Sequence, residues 1–399
     1  MPENFIQPSD AVEREAAKIT DPLERLRYLR RQGPKPPAPA AGLPEMLPLE
    51  VTMPRQTFRW TTWAAAITVV TAGLGLWGYQ MSANTPAKTA AKLPALTPPT
   101  GALPTGVWQV ETSATEEVYS NGLRIDLSFA TKNRPREEYG IFALDGGTEP
   151  VSKSRAPHGI VYHTTESDLA PFEEASSEKL ATLGHLLLRF VRREHSYHYL
   201  IDRFGRVYRV VEESDAANHA GYSVWGDSRG VYVNLNDSFL GIAFEAKTDN
   251  AADVSAAQFT SARMLTEMLR SKYKIAREDC VTHAQVSVNP LNMRIGNHTD
   301  WAHGFPFAAM NLPDNYLTTL AAVTAFGFTH DEVLLKAEAG RDWPGLVVAD
   351  KLVAKAAASE GSTEVRYRSM LQHRYKDIFA ELKRQSEKGN EPHSQEGKQ

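Results

Sequence analysis

Cysteine is almost absent. Cys280 stands alone among 399 residues, so no intrachain disulfide is available and stability must come from the core. One thiol suits the cytosol, or a bacterial periplasmic domain that relies on packing instead of cross-links. An excess of positive charge is lacking too. The 44 Lys and Arg against 48 Asp and Glu give a formal net charge of −4, without the basic footprint that a nucleic-acid partner calls for. No internal repeat is visible. Nor is the chain biased enough to be disordered throughout: 42% hydrophobic and 23% charged residues lie near a globular average. Its length allows one or two domains with real cores.

What is present is organised in blocks. Residues 1–59 are rich in charge and proline and read as a mostly disordered cytoplasmic tail, with an amphipathic stretch at 21–31. Residues 60–80 form the expected transmembrane helix. From Trp60 to Tyr79 the run WTTWAAAITVVTAGLGLWGY has no charged residue, and as a helix it reaches about 30 Å, a bilayer core's thickness. Trp60 and Trp63 mark one end and Trp77 and Tyr79 the other, as interfacial aromatics do. Arg25, Arg27, Arg30, Arg31, Arg55 and Arg59 precede the span, whereas only Lys88 and Lys92 closely follow it. The positive-inside rule therefore places the N-terminus in the cytoplasm and everything beyond Tyr79 outside. A Pro/Ala-rich tether follows at 81–106. Strand-like and helix-like stretches interleave over 107–330, predicting an α/β domain with a mixed central sheet flanked by helices. A helical extension is expected over 331–386 and a polar, disordered tail over 387–399.

Four stretches carry candidate chemistry. An apolar strand ends in His163-Thr164-Thr165, which projects a histidine from a strand terminus. The run Tyr197-His198-Tyr199-Leu200-Ile201-Asp202-Arg203-Phe204-Gly205 reads as a hairpin with Gly205 at a positive φ, and sets Tyr197 at its start. His219-Ala220-Gly221-Tyr222-Ser223-Val224-Trp225 precedes Leu240-Gly241-Ile242-Ala243-Phe244-Glu245, where a carboxylate in an apolar strand needs either solvent or a partner. Finally, Thr282-His283 leads through a loop to His298-Thr299-Asp300-Trp301. Nitrogen and carboxylate donors suit Zn²⁺, and three protein ligands with one open position is the catalytic arrangement.

In this order the motifs resemble the zinc-dependent N-acetylmuramoyl-L-alanine amidases, the type 2 amidase and peptidoglycan-recognition family, over roughly Arg155 to Phe307. The resemblance implies that fold, a Zn²⁺ cofactor held by His163, His283 and Asp300, and hydrolysis of the amide between N-acetylmuramic acid and L-alanine. Peptidoglycan or released muropeptides would be the partner, and the location the bacterial inner membrane, single-pass, with a periplasmic catalytic domain. Two departures matter. His298 stands where relatives carry a lysine and the following Pro-Gly is missing, so His298 is either a group that stabilises the oxyanion or, in a rival alignment, the third ligand. Ala243 occupies the place of a frequent glutamate, leaving Glu245 or Tyr197 as the base. His219 and Trp225 are expected to line the substrate groove. Two alternatives stay open: a module that binds cell wall without cutting it, and an envelope scaffold centred on the C-terminal helices.

Overall fold

The computed structural model describes residues 106–247, 254–330 and 343–389. The N-terminal tail, the span at 60–80, the tether up to 105 and a helix expected near 332–339 lie outside them. Among the described residues no helix is long and apolar enough to cross a membrane.

The described chain opens with β1 (Gln109–Thr112), β2 (Glu116–Tyr119) and β3 (Arg124–Asp126), then β4 (Tyr139–Phe142) and β5 (Pro150–Ser154). β6 (Gly159–Thr164) leads to helix α1 (Ser177–Arg193), β7 (Tyr199–Ile201) and β8 (Val207–Arg209). β9 (Val224–Asp227), β10 (Gly230–Val233) and β11 (Phe239–Phe244) precede helix α2 (Ala256–Tyr273). β12 (Cys280–Thr282) runs into the single turn α3 (His283–Val286) and the ribbon β13 (Val288–Asn289) and β14 (Arg294–Ile295). Helices α4 (Ala321–Thr324), α5 (Pro344–Ser359) and α6 (Glu364–Gly389) complete it.

Among these residues the main sheet runs β1-β2-β3-β8-β7-β11-β6-β12, and a second sheet runs β5-β4-β10-β9. The main sheet is mixed: β7, β11, β6 and β12 are parallel, while β8 joins β7 antiparallel. β6 and β11 are apolar almost throughout and buried at every position, as central parallel strands covered on both faces must be.

The two faces do different work. Ile160, Tyr162, Ile242 and Phe244 belong to the largest apolar cluster, together with Ala262, Leu265, Met268 and Leu269 of α2. Each such aliphatic side chain contributes about 2 kcal/mol through burial. α2 starts at a capping box in which Gln258 N donates to Ser255 Oγ at 3.1 Å and Ser255 N donates to Gln258 Oε1 at 3.0 Å. On the opposite face, the register sets His163 beside Ala243 and Ala243 beside Leu200. Here α1 covers Leu200, Tyr208 and Val210, while Val161, Val281, Trp225 and Phe239 form a separate patch. His163 emerges on the face that these two patches share. Its place follows from alternation along β6.

Candidate active site

His163, His283 and Asp300 come together although 137 residues separate the first from the last. Their donor atoms all lie within 4.8 Å of one another. His283 is the first residue of α3, oriented because Thr282 N and Thr282 Oγ1 both donate to Gln285 Oε1 at 3.1 Å. The β13–β14 ribbon then reverses the chain, and Ala284 N donates to Asp300 O at 3.1 Å, anchoring the aspartate beside the histidine. Trp301, the next residue, has φ +60° and is buried against Phe244 and Phe305. A bulky residue in the left-handed region costs of order 1 kcal/mol or more, which the indole's burial offsets.

Donor and acceptor bookkeeping fixes the histidine tautomers. His219 Nε2 lies 3.3 Å from Phe239 O, and a carbonyl can only accept, so Nε2 carries the proton and Nδ1 is bare. That bare Nδ1 is 3.2 Å from His163 Nε2, which must therefore donate to it, leaving His163 Nδ1 bare. His283 Nε2 likewise faces Ala220 O at 3.4 Å, so a neutral His283 imidazole carries its proton there and turns a bare Nδ1 the other way. Both exposed lone pairs point at one carboxylate: His163 Nδ1 is 3.1 Å from Asp300 Oδ2, and His283 Nδ1 is 2.8 Å from Asp300 Oδ1. Two lone pairs and a carboxylate repel unless a cation sits among them. A proton on His163 is disfavoured, because burial and then the His283 imidazole push its pKa down to about 4. Burial also opposes charge on Asp300, and the carboxyl falls below its ordinary range only when positive charge, from a protonated His283 or His163 or from an ion in their place, faces it. Two neutral nitrogens and an ionised oxygen, each histidine braced through its other nitrogen, fit Zn²⁺ and not an all-oxygen ion such as Mg²⁺.

The bracing is itself braced. Asn236 Oδ1 accepts from His219 N at 3.1 Å and from Ala220 N at 2.8 Å, fixing both supports at once. Beneath lies Gly241, where a Cβ would meet His219 Cγ at 2.6 Å. The Leu-Gly-Ile signal thus makes room for an imidazole.

Around this centre is a cavity of about 580 Å³, lined by His163, His219, His283, His298 and Asp300 and also by Tyr197, Asn218 and Tyr222. Tyr197 stands with its ring centre 5.0 Å from that of His163 and has φ +62°, so the turn between α1 and β7 is strained where it presents the phenol. His298 stacks on His283 at 4.6 Å and 18°, and its backbone N donates to Ser287 Oγ at 2.9 Å. The group within 4.8 Å contains Asp300 and not His298.

Residues 153–302 match the family model described as N-acetylmuramoyl-L-alanine amidase. This segment is an amidase domain of that family. No curated protein is significantly similar to the chain. Among solved structures, N-acetylmuramoyl-L-alanine amidase LysC from Clostridium intestinale is 20% identical, over 47% of this chain and 94% of its own, with a TM-score of 0.27. A selenomethionine derivative of AmpD is also 20% identical, over 46% of this chain and 94% of its own, with a TM-score of 0.29. AmiD from E. coli, solved with an anhydro-N-acetylmuramic acid peptide, is 24% identical over 41% of this chain and 61% of its own, with a TM-score of 0.28. Scores this low add nothing to the family match.

Two site expectations need correction. Glu245 does not line the amidase cavity. β11 ends at Phe244, and the Glu245 carboxylate turns into the 202–205 turn, accepting from Arg203 N at 3.2 Å. Burial raises its pKa there, away from the reacting centre. Trp225 is no groove residue either. Its Nε1 donates to Asp279 Oδ1 at 2.9 Å and its ring is 3% exposed, packed with Val161 and Phe239. His219 does line the cavity, but also braces His163. Asn236 was missed, since a lone Asn in a loop carries no signal. A second group able to hold a metal, His158 with Asp227 and Asp279, is already served by Arg229: its guanidinium lies 3.0 Å from His158 Nε2, 2.9 Å from Asp227 Oδ2 and 3.1 Å from Asp279 Oδ2.

Proposed function

We propose that this amidase hydrolyses the bond between N-acetylmuramic acid and L-alanine in peptidoglycan or its released fragments, with Zn²⁺ held by His163, His283 and Asp300. The observation that carries this reading is the convergence of two bare imidazole nitrogens on one buried carboxylate. When bound, the ion supplies a Lewis acid for the amide carbonyl and lowers the pKa of water to roughly 7. The chain's own groups do the rest. His219 and the Ala220 carbonyl keep the two imidazoles in the ligating tautomer and orientation. Tyr197, beside His163 in the cavity, offers a phenol O–H to the oxygen on which negative charge develops as the carbonyl carbon becomes tetrahedral. His298, stacked on His283, offers a second donor on that side and a proton for the departing amine. With Glu245 held in its turn, only Tyr197 of the two residues expected to serve as the base stands beside the centre, and it does so as a donor.

The reading extends to location: a helix at 60–80 would hold the chain in a bacterial inner membrane with the amidase on the periplasmic side. Protease access to the domain in spheroplasts but not in intact cells is the corresponding expectation.

The test uses the full chain with purified muropeptides and mass spectrometry of the products. Free stem peptide should appear, disappear with a chelator and return with Zn²⁺, and His283→Ala should release none. Undiminished release by His283→Ala would end the proposal.

A further inference from the structure

The cleft is not built by the amidase segment alone. Helix α6 begins at Glu364, well past the matched residues 153–302, yet its later turns reach the cavity. Its inner face belongs to the core. Tyr375 and Ile378 are buried, and the Tyr375 ring meets the edges of Phe326 at 5.3 Å and Phe328 at 4.8 Å. Arg374 fastens the helix to the β4–β5 connection and to α4's end. Its Nε donates to Gly147 O at 2.7 Å, and its Nη atoms donate to Gly146 O at 2.9 Å and Ala325 O at 3.3 Å. The helix is therefore placed by apolar burial and charge-assisted hydrogen bonds, not by a loose surface contact.

One turn beyond Ile378, Leu382 and Gln385 share a face at i, i+3 spacing and line the same cavity as His283 and Asp300. Phe379 meets the edge of Tyr222 at 5.3 Å, and Tyr222, 49% exposed, also lines the cavity. Asn218 and Asn297 line the same cavity. The five side chains are three amides, one phenol and one aliphatic group, and none carries charge. Amides both donate and accept, and a half-exposed ring offers an apolar face with a polar tip. That set matches a neutral group bearing hydroxyls and an acetamide. It holds no cation to pair with the carboxylates of a peptide stem. The cavity-lining guanidinium of Arg134 comes from the other flank and is already paired with Asp237 at 2.6 Å.

We propose that Tyr222 with Leu382 and Gln385 of α6 forms a sugar subsite, binding the N-acetylmuramic acid side of the substrate. This rests on the amidase reading and gives the C-terminal helix a part in it.

Steady-state kinetics of the full, zinc-loaded chain on an N-acetylmuramoyl peptide test the subsite, with Leu382→Ala/Gln385→Ala as the variant. Leu382 is only partly buried and Gln385 is exposed, so the contacts of Tyr375 and Ile378 survive. Losing two modest contacts should raise KM about fivefold to tenfold, with a smaller change in kcat. Inhibition by N-acetylmuramic acid should weaken by the same factor, while inhibition by the free L-alanyl peptide should not. Tyr222→Leu, made in a different element, should repeat the pattern. An unchanged KM, or a loss confined to the peptide inhibitor, overturns the subsite and leaves the amidase reading standing. If the wild type releases no peptide, calorimetric titration with N-acetylmuramic acid still decides: equal affinity of wild type and variant rejects the subsite.

Discussion

Replacing His219 with leucine isolates the support of one imidazole from the metal centre itself. In the metal-loaded form His163 must keep its proton on Nε2, where only His219 Nδ1, at 3.2 Å, accepts it. Leucine removes that acceptor and leaves a buried N–H unpaired, at a cost of about 1–3 kcal/mol. The metal-free form escapes the cost. There the proton moves to Nδ1 and pairs with Asp300 Oδ2, 3.1 Å away. The penalty thus falls on binding, and zinc affinity should drop about 10- to 100-fold, in line with losses from removing the support of a metal-ligating histidine. Competition against a chromophoric chelator measures it. His219→Asn, whose amide oxygen can replace Nδ1, should recover most of the affinity. If leucine matched the wild type, or asparagine were as weak as leucine, the relay from Phe239 through His219 to His163 would not be what holds the centre.

Gly241→Ala should lower zinc affinity in the same direction, because its Cβ would meet His219 Cγ at 2.6 Å; the chelator titration reads this too. Tyr197→Phe should keep its zinc by elemental analysis and lose about 100-fold in kcat, the usual effect of deleting one donor to a developing oxyanion. Glu213 tests the fold away from the site. It is buried, and although burial opposes its charge, Lys272 and Arg209 hold its pKa below the ordinary 4.5. A depressed pKa means that the stabilisation is complete above that value and is lost as pH falls through the folded pKa. Glu213→Gln should therefore cost about 3–5 kcal/mol in urea unfolding near neutrality, with the gap to wild type closing on acidification below about pH 4. A gap independent of pH would refute that assignment.

Legibility in the sequence followed the physics of each element. β6 and β11 announce themselves as apolar runs because both faces are covered, and α1 and α2 through their apolar periodicity. The second sheet left no such trace. β5 is Pro-Val-Ser-Lys-Ser and largely exposed, so neither alternation nor apolar content marks it. His163, His283 and Asp300 were expected only through the family resemblance, with His298 left as a rival third ligand, because a strand end and a Thr-His pair are weak signals alone; their donor atoms lie within 4.8 Å of one another. Glu245 and Trp225 were misplaced for a shared reason. Alternation tells which face a residue takes, but not where the strand stops or whether a ring finds a buried partner such as Asp279. Tyr197 lines the cavity, but from a strained turn before β7 and not from the strand that the hairpin pattern suggests. The part that α6 plays in the cavity depends on contacts across more than 200 residues, such as those of Arg374 with Gly146 and Gly147. No local pattern encodes those.

The central claim is that Asp300, not His298, completes a centre with His163 and His283. Elemental analysis of three purified chains decides it. Wild type and His298→Ala should each retain one zinc ion per chain after dialysis, and Asp300→Ala should retain essentially none. Zinc kept by Asp300→Ala and lost from His298→Ala would contradict the account at its base.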